Sequence, residues 1–448
     1  MSGGVRLYGR ARRQGAADAG PGVRRVVSSV ALIACLAAAG CGKGGAAPAT
    51  APEARATAGG EAPQPEVKQS ARAAWDGANA AFVEGEAKGF SATLCAEASS
   101  GFAKVVAEAP ELARAEYMLG LTAARCGDDA AAKAAYERAL KKDPALCPAR
   151  VGVGLFELKA GDRDAAKATF ERAIKADPQC TTGYVDLAVV QREGSPKERD
   201  EALDNLRRAL AIESGYLPAF NEMALLYFAR GKGKGDEASL DLAEIVCRQA
   251  QIVDDKYAPI YNTWGLIKIY RGDVIAALRL FERAIELDKS FFEAEMNFAE
   301  VAQSFRGYAD AREGFARAHE LRPDNYEAII GLGAALRGLR RYDEARAEYE
   351  RAIALDPARP EAYFNLGLLY QDYMQGQVAQ LEKAKSYYGD FLERSKGDAA
   401  LAQTREDLTR RCATAAADRR GKTSCRPGRL QVIDQTLAAL REVQGTKP

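Results

Sequence analysis

Residues 147–180 read CPARVGVGLFELKAGDRDAAKATFERAIKADPQC, and residues 113–146 before them read ARAEYMLGLTAARCGDDAAAKAAYERALKKDPAL. Laid over one another, these two 34-residue strings place small on small and large on large. Gly120 falls on Gly154, Ala132 on Ala166, Tyr136 on Phe170, Ala139 on Ala173, and Asp143-Pro144 on Asp177-Pro178. The set returns downstream as Gly265, Ala277, Phe281 and Ala284, as Ala311, Phe315 and Ala318, and as Gly333, Ala345, Tyr349, Ala352 and Asp356-Pro357. Residues spaced four and then three apart share one helical face. Each string is therefore a helix, a short turn and a second helix, ended where proline withholds a backbone donor. Such a hairpin is too small to bury its own apolar face, so successive hairpins must stack into one continuous core.

Counting from these anchors gives units at 113–146, 147–180, 181–216, 217–257, 258–291, 292–325, 326–359 and 360–396. A degenerate capping unit precedes them at 70–112, with Trp75, Phe82, Ala98, Phe102 and Pro110 in the expected places. The period, the Leu-Gly of the first helix and the Ala-aromatic-Ala of the second resemble the tetratricopeptide repeat. That resemblance implies an all-α solenoid, a right-handed superhelix of hairpins whose concave groove is lined by first helices and holds peptide segments or other proteins. Carried across, the groove positions are Tyr117 and Leu121, Val151 and Leu155, Val185 and Val189, Asn221, Leu225 and Phe228, Asn262, Leu266, Ile269 and Tyr270, Met296 and Glu300, Ile330, Phe364 and Leu368. On this reading Asn221 and Asn262 bond an extended peptide backbone, and Phe228 and Tyr270 supply pockets. The alternative is that some of these side chains pack against neighbouring helices or a curled C-terminal segment. The Lys, Asn and Arg set of the carboxylate-clamp type is absent from these positions, which disfavours chaperone docking. Insertions are expected around Ser195-Pro196, at Gly231–Gly235, read as a mobile inter-helix loop, and around Gln375-Gly376-Gln377.

At the amino terminus Arg24-Arg25 precedes an apolar run from Val26 to Gly40, the pattern of a secretory signal. The run is shorter than the roughly 20 apolar residues of a comfortable membrane span. Leu36-Ala37-Ala38-Ala39-Gly40-Cys41 resembles the lipobox of bacterial lipoproteins, which implies lipid attachment at Cys41, with Cys35 as the alternative. Residues 1–40 are then a lipoprotein signal peptide and 41–69 a lipidated cysteine with a flexible, disordered tether, too poor in large apolar residues to order itself. Gly42-Lys43-Gly44 lacks the aspartate that retains many lipoproteins in the inner membrane. That implies an outer-membrane location, lipid-anchored and facing the periplasm.

An exported chain can form disulfides. The expected pairs are Cys95 with Cys126, Cys147 with Cys180, and Cys412 with Cys425, against the alternative of reduced core cysteines; Cys247 takes the aromatic packing position and reads as a buried thiol. Across 448 residues, 63 basic and 62 acidic side chains leave a net charge of +1, so no overall field favours nucleic acid. The sole histidine, His319, follows packing residue Ala318, and no Cys-x-x-Cys occurs, which argues against metal or cofactor chemistry and against an enzyme. Gly421-Lys422-Thr423 lacks the leading glycine and preceding strand of a phosphate loop. Residues 397–448 form a helical C-terminal extension whose arginines, from Arg405 to Arg429, read as a solvated cap or a contact for lipid headgroups. The layout of lipobox, tether, repeats and cysteine-bearing extension resembles the adventurous gliding-motility lipoproteins. It implies a scaffold for other envelope proteins, with a pilotin-like assembly factor for a secretion, pilus or outer-membrane-protein system as the second reading.

Overall fold

The computed structural model describes residues 69–374, 377–412 and 426–445. The leader, Cys41, Cys35, the tether, Gly376 and Cys425 lie outside the described residues. Twenty α-helices and no strand are present among the described residues. The chain divides into two compact units that join in sequence at Asp255 and Lys256.

The first unit holds α1 (Gln69–Lys88) with α2 (Ala92–Glu108), α3 (Ala113–Arg125) with α4 (Asp129–Lys142), α5 (Cys147–Lys159) with α6 (Arg163–Ala176), α7 (Thr181–Arg192) with α8 (Pro196–Ile212), and α9 (Leu217–Lys234) with α10 (Glu237–Val253). The second holds α11 (Ala258–Tyr270) with α12 (Val274–Leu287), α13 (Phe292–Ser304) with α14 (Tyr308–Leu321), α15 (Tyr326–Gly338) with α16 (Tyr342–Leu355), and α17 (Glu361–Asp372) with α18 (Val378–Arg394). A short turn of 3-10 helix then leads to α19 (Ala402–Thr409) and α20 (Arg429–Gly445). From α1 to α10 and from α11 to α18 every helix packs on the next, and the first helices of successive hairpins from α3 to α9 and from α11 to α17 also touch.

Turn chemistry explains the hairpins. Gly127, Gly161 and Gly272 stand at positive φ after the first helix, and the aspartate that follows each caps the second helix by accepting a backbone N–H, as Asp128 does from Ala131 at 2.9 Å. At the end of the second helix Asp143, Asp177, Asp288 and Asp356 each accept from the backbone two residues on, closing an Asx turn into the next hairpin. Arg306 and Arg340 occupy the glycine position of their turns at φ 68° and 62°, a left-handed conformation that strains a residue with a β-carbon.

The packing alanines and the aromatic between them are buried throughout, with Phe102, Tyr136, Phe170, Phe281, Phe315, Tyr349 and Tyr388 all inaccessible or nearly so. Apart from Phe102, each ring lies on helix backbone left bare by glycine: a β-carbon on Gly120 would lie 2.7 Å from the Tyr136 ring, and one on Gly333 would lie 2.6 Å from the Tyr349 ring. In the second unit a further contact recurs within each of three hairpins, where an arginine at or just beyond the end of the second helix stacks on the ring at the head of the first: the guanidinium of Arg322 over Phe292 at 3.9 Å, of Arg359 over Tyr326 at 3.8 Å, and of Arg394 over Tyr363 at 4.0 Å. In the first unit two disulfides join successive hairpins, Cys95 to Cys126 and Cys147 to Cys180, with Cα separations of 5.9 and 5.6 Å. Cys247 is fully buried at the aromatic position of α10. The C-terminal helix α20 places Ile433 and Leu437 in the core beside α18, and Arg429 reaches Asp372 at 3.0 Å.

The stretch Gly231–Lys234 is not an inter-helix loop, because α9 runs through it to Lys234 and only Gly235, at φ 62°, ends the helix. Leu240 of α10 presses on Gly231, whose added β-carbon would stand 2.6 Å from it, so that glycine serves helix–helix approach.

Replacing Gly333 by valine should therefore cost about 3 kcal/mol by forcing the Tyr349 ring off its seat, seen as a lowered thermal unfolding midpoint of the second unit. Arg340→Gly should raise that midpoint by relieving a left-handed arginine, a gain of about 1 kcal/mol; an unchanged or lower midpoint would contradict the turn geometry.

Candidate functional site

The first helices form a row in each unit, α3, α5, α7 and α9 in one and α11, α13, α15 and α17 in the other. This row presents the register positions assigned above to a groove. The structure sorts them. Leu121, Val151, Met296, Ile330, Phe364 and Leu368 are buried within hydrophobic clusters, and Val185, Val189, Asn221, Leu225, Phe228 and Asn262 are buried as well. These twelve do not offer open pockets; packing of neighbouring hairpins takes their side chains out of reach. Tyr117, Leu155, Leu266 and Ile269 are half-buried, and Tyr270 is 42 % exposed, so these five present apolar surface along the row.

Of the four residues expected to build one contact centre, Asn221, Phe228 and Asn262 are buried and Tyr270 is exposed. Asn221 and Phe228 belong to the first unit, Asn262 and Tyr270 to the second. The Asn262 carbonyl oxygen already accepts from the Asn297 amide at 2.8 Å, a bond between α11 and α13 that ties the row together. A similar tie links α15 and α17, where Arg337 donates to the Asn365 carbonyl oxygen at 3.2 Å while the Asn365 amide donates to the Glu361 backbone.

Buried acids on the first helices are held by bases from other helices or turns. Glu116 accepts from Arg138 at 2.9 Å and Lys142 at 3.0 Å; Glu295 from Arg317 at 2.7 Å; Glu293 from Arg322 at 2.8 Å; and Glu222 lies 2.9 Å from Arg192. Arg359 serves Glu327 at 2.8 Å and Glu361 at 3.0 Å. Leaving such a carboxylate unpaired would cost several kcal/mol, which is why each carries its own counter-ion. Glu300, half-buried on α13, is held differently: burial, and then the like charge of Glu327 on α15, push its carboxyl up to about 7. Three residues on, Gln303 has its side-chain oxygen buried without a hydrogen-bond donor. Gln303 was absent from the sequence expectations, although its place one helical turn beyond Glu300 put it on the same face.

A crevice of about 420 Å³ opens between the turns of the third and fourth hairpins of the first unit, lined by Asp162, Arg163, Lys167, Val190 and Glu198 among others. Its charged groups serve the fold. Lys167 pairs with Glu198 at 2.8 Å, and that bond together with the Ser195 donors of the capping box holds the Glu198 carboxyl down at about 2. No group of three or more side chains suited to a metal ion is present among the described residues, and no described helix is long and apolar enough to cross a membrane.

Comparison with known proteins places tetratricopeptide repeats directly on this scaffold. Residues 113–146 and 155–217 match profiles described as tetratricopeptide repeat, and residues 339–372 match one described as TPR repeat. No curated protein matches the chain. Among solved structures, a thermophilic TPR protein of Thermus thermophilus is 27% identical over 42% of this chain and 97% of its own, with a TM-score of 0.37. Tom70 of yeast is 16% identical over 73% of this chain and 67% of its own, with a TM-score of 0.47. The Pseudomonas aeruginosa protein pilF is 19% identical over 49% of this chain and 96% of its own, with a TM-score of 0.39. The chain thus carries tetratricopeptide repeats, set in an all-α array of stacked helical hairpins.

Proposed function

We propose that this protein is a non-enzymatic, lipid-anchored scaffold whose first-helix face binds segments of partner proteins in a cell-envelope complex. The observation that carries the binding role is the row of touching first helices in each unit, bearing half-buried Tyr117 and Leu155 in the first and half-buried Leu266 and Ile269 with exposed Tyr270 in the second. Apolar side chains left part-open along a row of helices gain by being covered, at about 25 cal/mol for each Å² removed from water. Anchoring rests on the lipobox at Cys41 and the tether that follows it. The two disulfides between hairpins fit an oxidising compartment such as the periplasm. Outer-membrane attachment follows from Gly42-Lys43-Gly44 on the same resemblance, and gliding-motility machinery is the assembly whose lipoproteins the layout resembles.

A photo-crosslinking residue placed at Leu155, Leu266 or Tyr270 in living cells should capture a partner protein in discrete adducts, whereas the same residue at Glu137 or Glu282 on exposed positions of second helices should not. Equal capture from both sets would count against the first-helix face. Recovery of a stoichiometric complex would mark a scaffold, and adducts that vanish once the client has matured would mark an assembly factor. Cys41→Ser should abolish incorporation of a labelled fatty acid and release the protein from the membrane fraction, while Cys35→Ser should leave both unchanged; retention of label in the first variant would sink the assignment of the anchor.

A further inference from the structure

Glu300 breaks two regularities of the molecule. The other seven repeats carry an apolar residue in its register, from Leu121 in the first to Leu368 in the last. The buried or half-buried acids around it, Glu293, Glu295, Glu327 and Glu361, each have an arginine within 3.0 Å, yet Glu300 has no cation within ion-pair distance among the described residues. The charge that acts on it is that of Glu327, which is of like sign and is itself occupied with Arg359. A carboxylate set in an apolar register without a counter-ion costs stability and gains the fold nothing, the kind of local inconsistency found at working sites.

An independent observation lies one turn along the same helix face. In the last repeat the residue equivalent to Gln303 is Gln371, and its side-chain oxygen accepts the Tyr388 hydroxyl at 2.9 Å. In the repeat of α13 the residue in place of that tyrosine is Phe315, which has no hydroxyl, and the Gln303 oxygen is buried without a donor. The Gln303 oxygen thus lacks the internal donor that its counterpart has, one turn from a carboxylate without a counter-ion.

We infer that the α13 face binds a cationic side chain, lysine or arginine, of a partner polypeptide, whose N–H groups donate to the Glu300 carboxylate. This rests on the first-helix face being the binding surface, and it names the chemistry of the partner there. Arginine suits a carboxylate best, since its guanidinium donates through two parallel N–H groups in a fixed fork.

The test uses the purified full-length protein and a fluorescein-labelled dodecapeptide of Gly, Ser and Leu with one central arginine, compared by anisotropy with twins bearing citrulline or glutamate there. The arginine peptide should bind at least about tenfold more tightly than the citrulline twin, and Glu300→Gln, which keeps the shape of the side chain, should bring that ratio to about one. The carboxyl carbon of Glu300, followed by NMR, should titrate near 7 in the unbound protein and fall on adding the arginine peptide. Equal binding of arginine and citrulline peptides, or an arginine preference that survives Glu300→Gln, overturns the inference while leaving the binding face itself to the crosslinking result. Agmatine binding as tightly as the arginine peptide would overturn it in favour of a small-amine site. Absence of any peptide binding up to about 1 mM overturns it too, and crosslinks from Leu266 and Tyr270 would then show that the face works through other chemistry.

Discussion

The contact on which the array depends is an aromatic ring laid on bare helix backbone. Tyr136 on Gly120, Phe281 on Gly265 and Tyr349 on Gly333 are the same contact in different hairpins, and in each a single added methyl would occupy space the ring already fills. Everything else in the hairpin serves that approach. The alanines above and below keep the helices near, the left-handed turn glycine and capping aspartate set the angle of entry, and the Asx turn hands the chain to the next hairpin at the same register. Because the interior is packed to the density of an organic crystal, the ring and the glycine are selected as a pair.

That pairing is why so much of the fold was legible. A ring, two alanines and a glycine at fixed spacing are visible in the repeats at 113–146, 147–180, 258–291 and 326–359, and their return fixes where each helix begins and ends. The stretch Gly231–Lys234 was misread because glycine was taken as a helix breaker, when Leu240 required the space that Gly231 leaves. The face for partners was less legible still. Register tells which side of a helix a residue occupies, but whether Leu121 or Ile330 ends buried and Tyr117 half-open depends on the bulk of the neighbouring hairpin. Charge pairing was similarly hidden, since Glu293 finds its arginine 29 residues away and Glu116 finds one 22 residues away. The isolation of Glu300 emerges only when all such pairs are mapped together.

The two units fasten their hairpins with different chemistry. In the second, arginines at 322, 359 and 394 each lie on the aromatic ring at the head of a first helix and reach carboxylates or backbone carbonyls nearby. In the first, disulfides tie two of the successive pairs of hairpins together. An arginine stack gives modest free energy and reforms readily after opening. A disulfide instead removes conformations from the unfolded chain, so the hairpins it joins find each other again even after their packing is lost.

Those covalent joins also limit how far the chain can be drawn out. Tension applied through the amino terminus would meet two closed loops, of sequence separation 31 and 33, before it reached the second unit. Each loop withholds roughly 110 Å of extended polypeptide from the pull. Under load the stretches 95–126 and 147–180 therefore add no length, and the compliant part lies in the hairpins after residue 180, which no disulfide closes among the described residues.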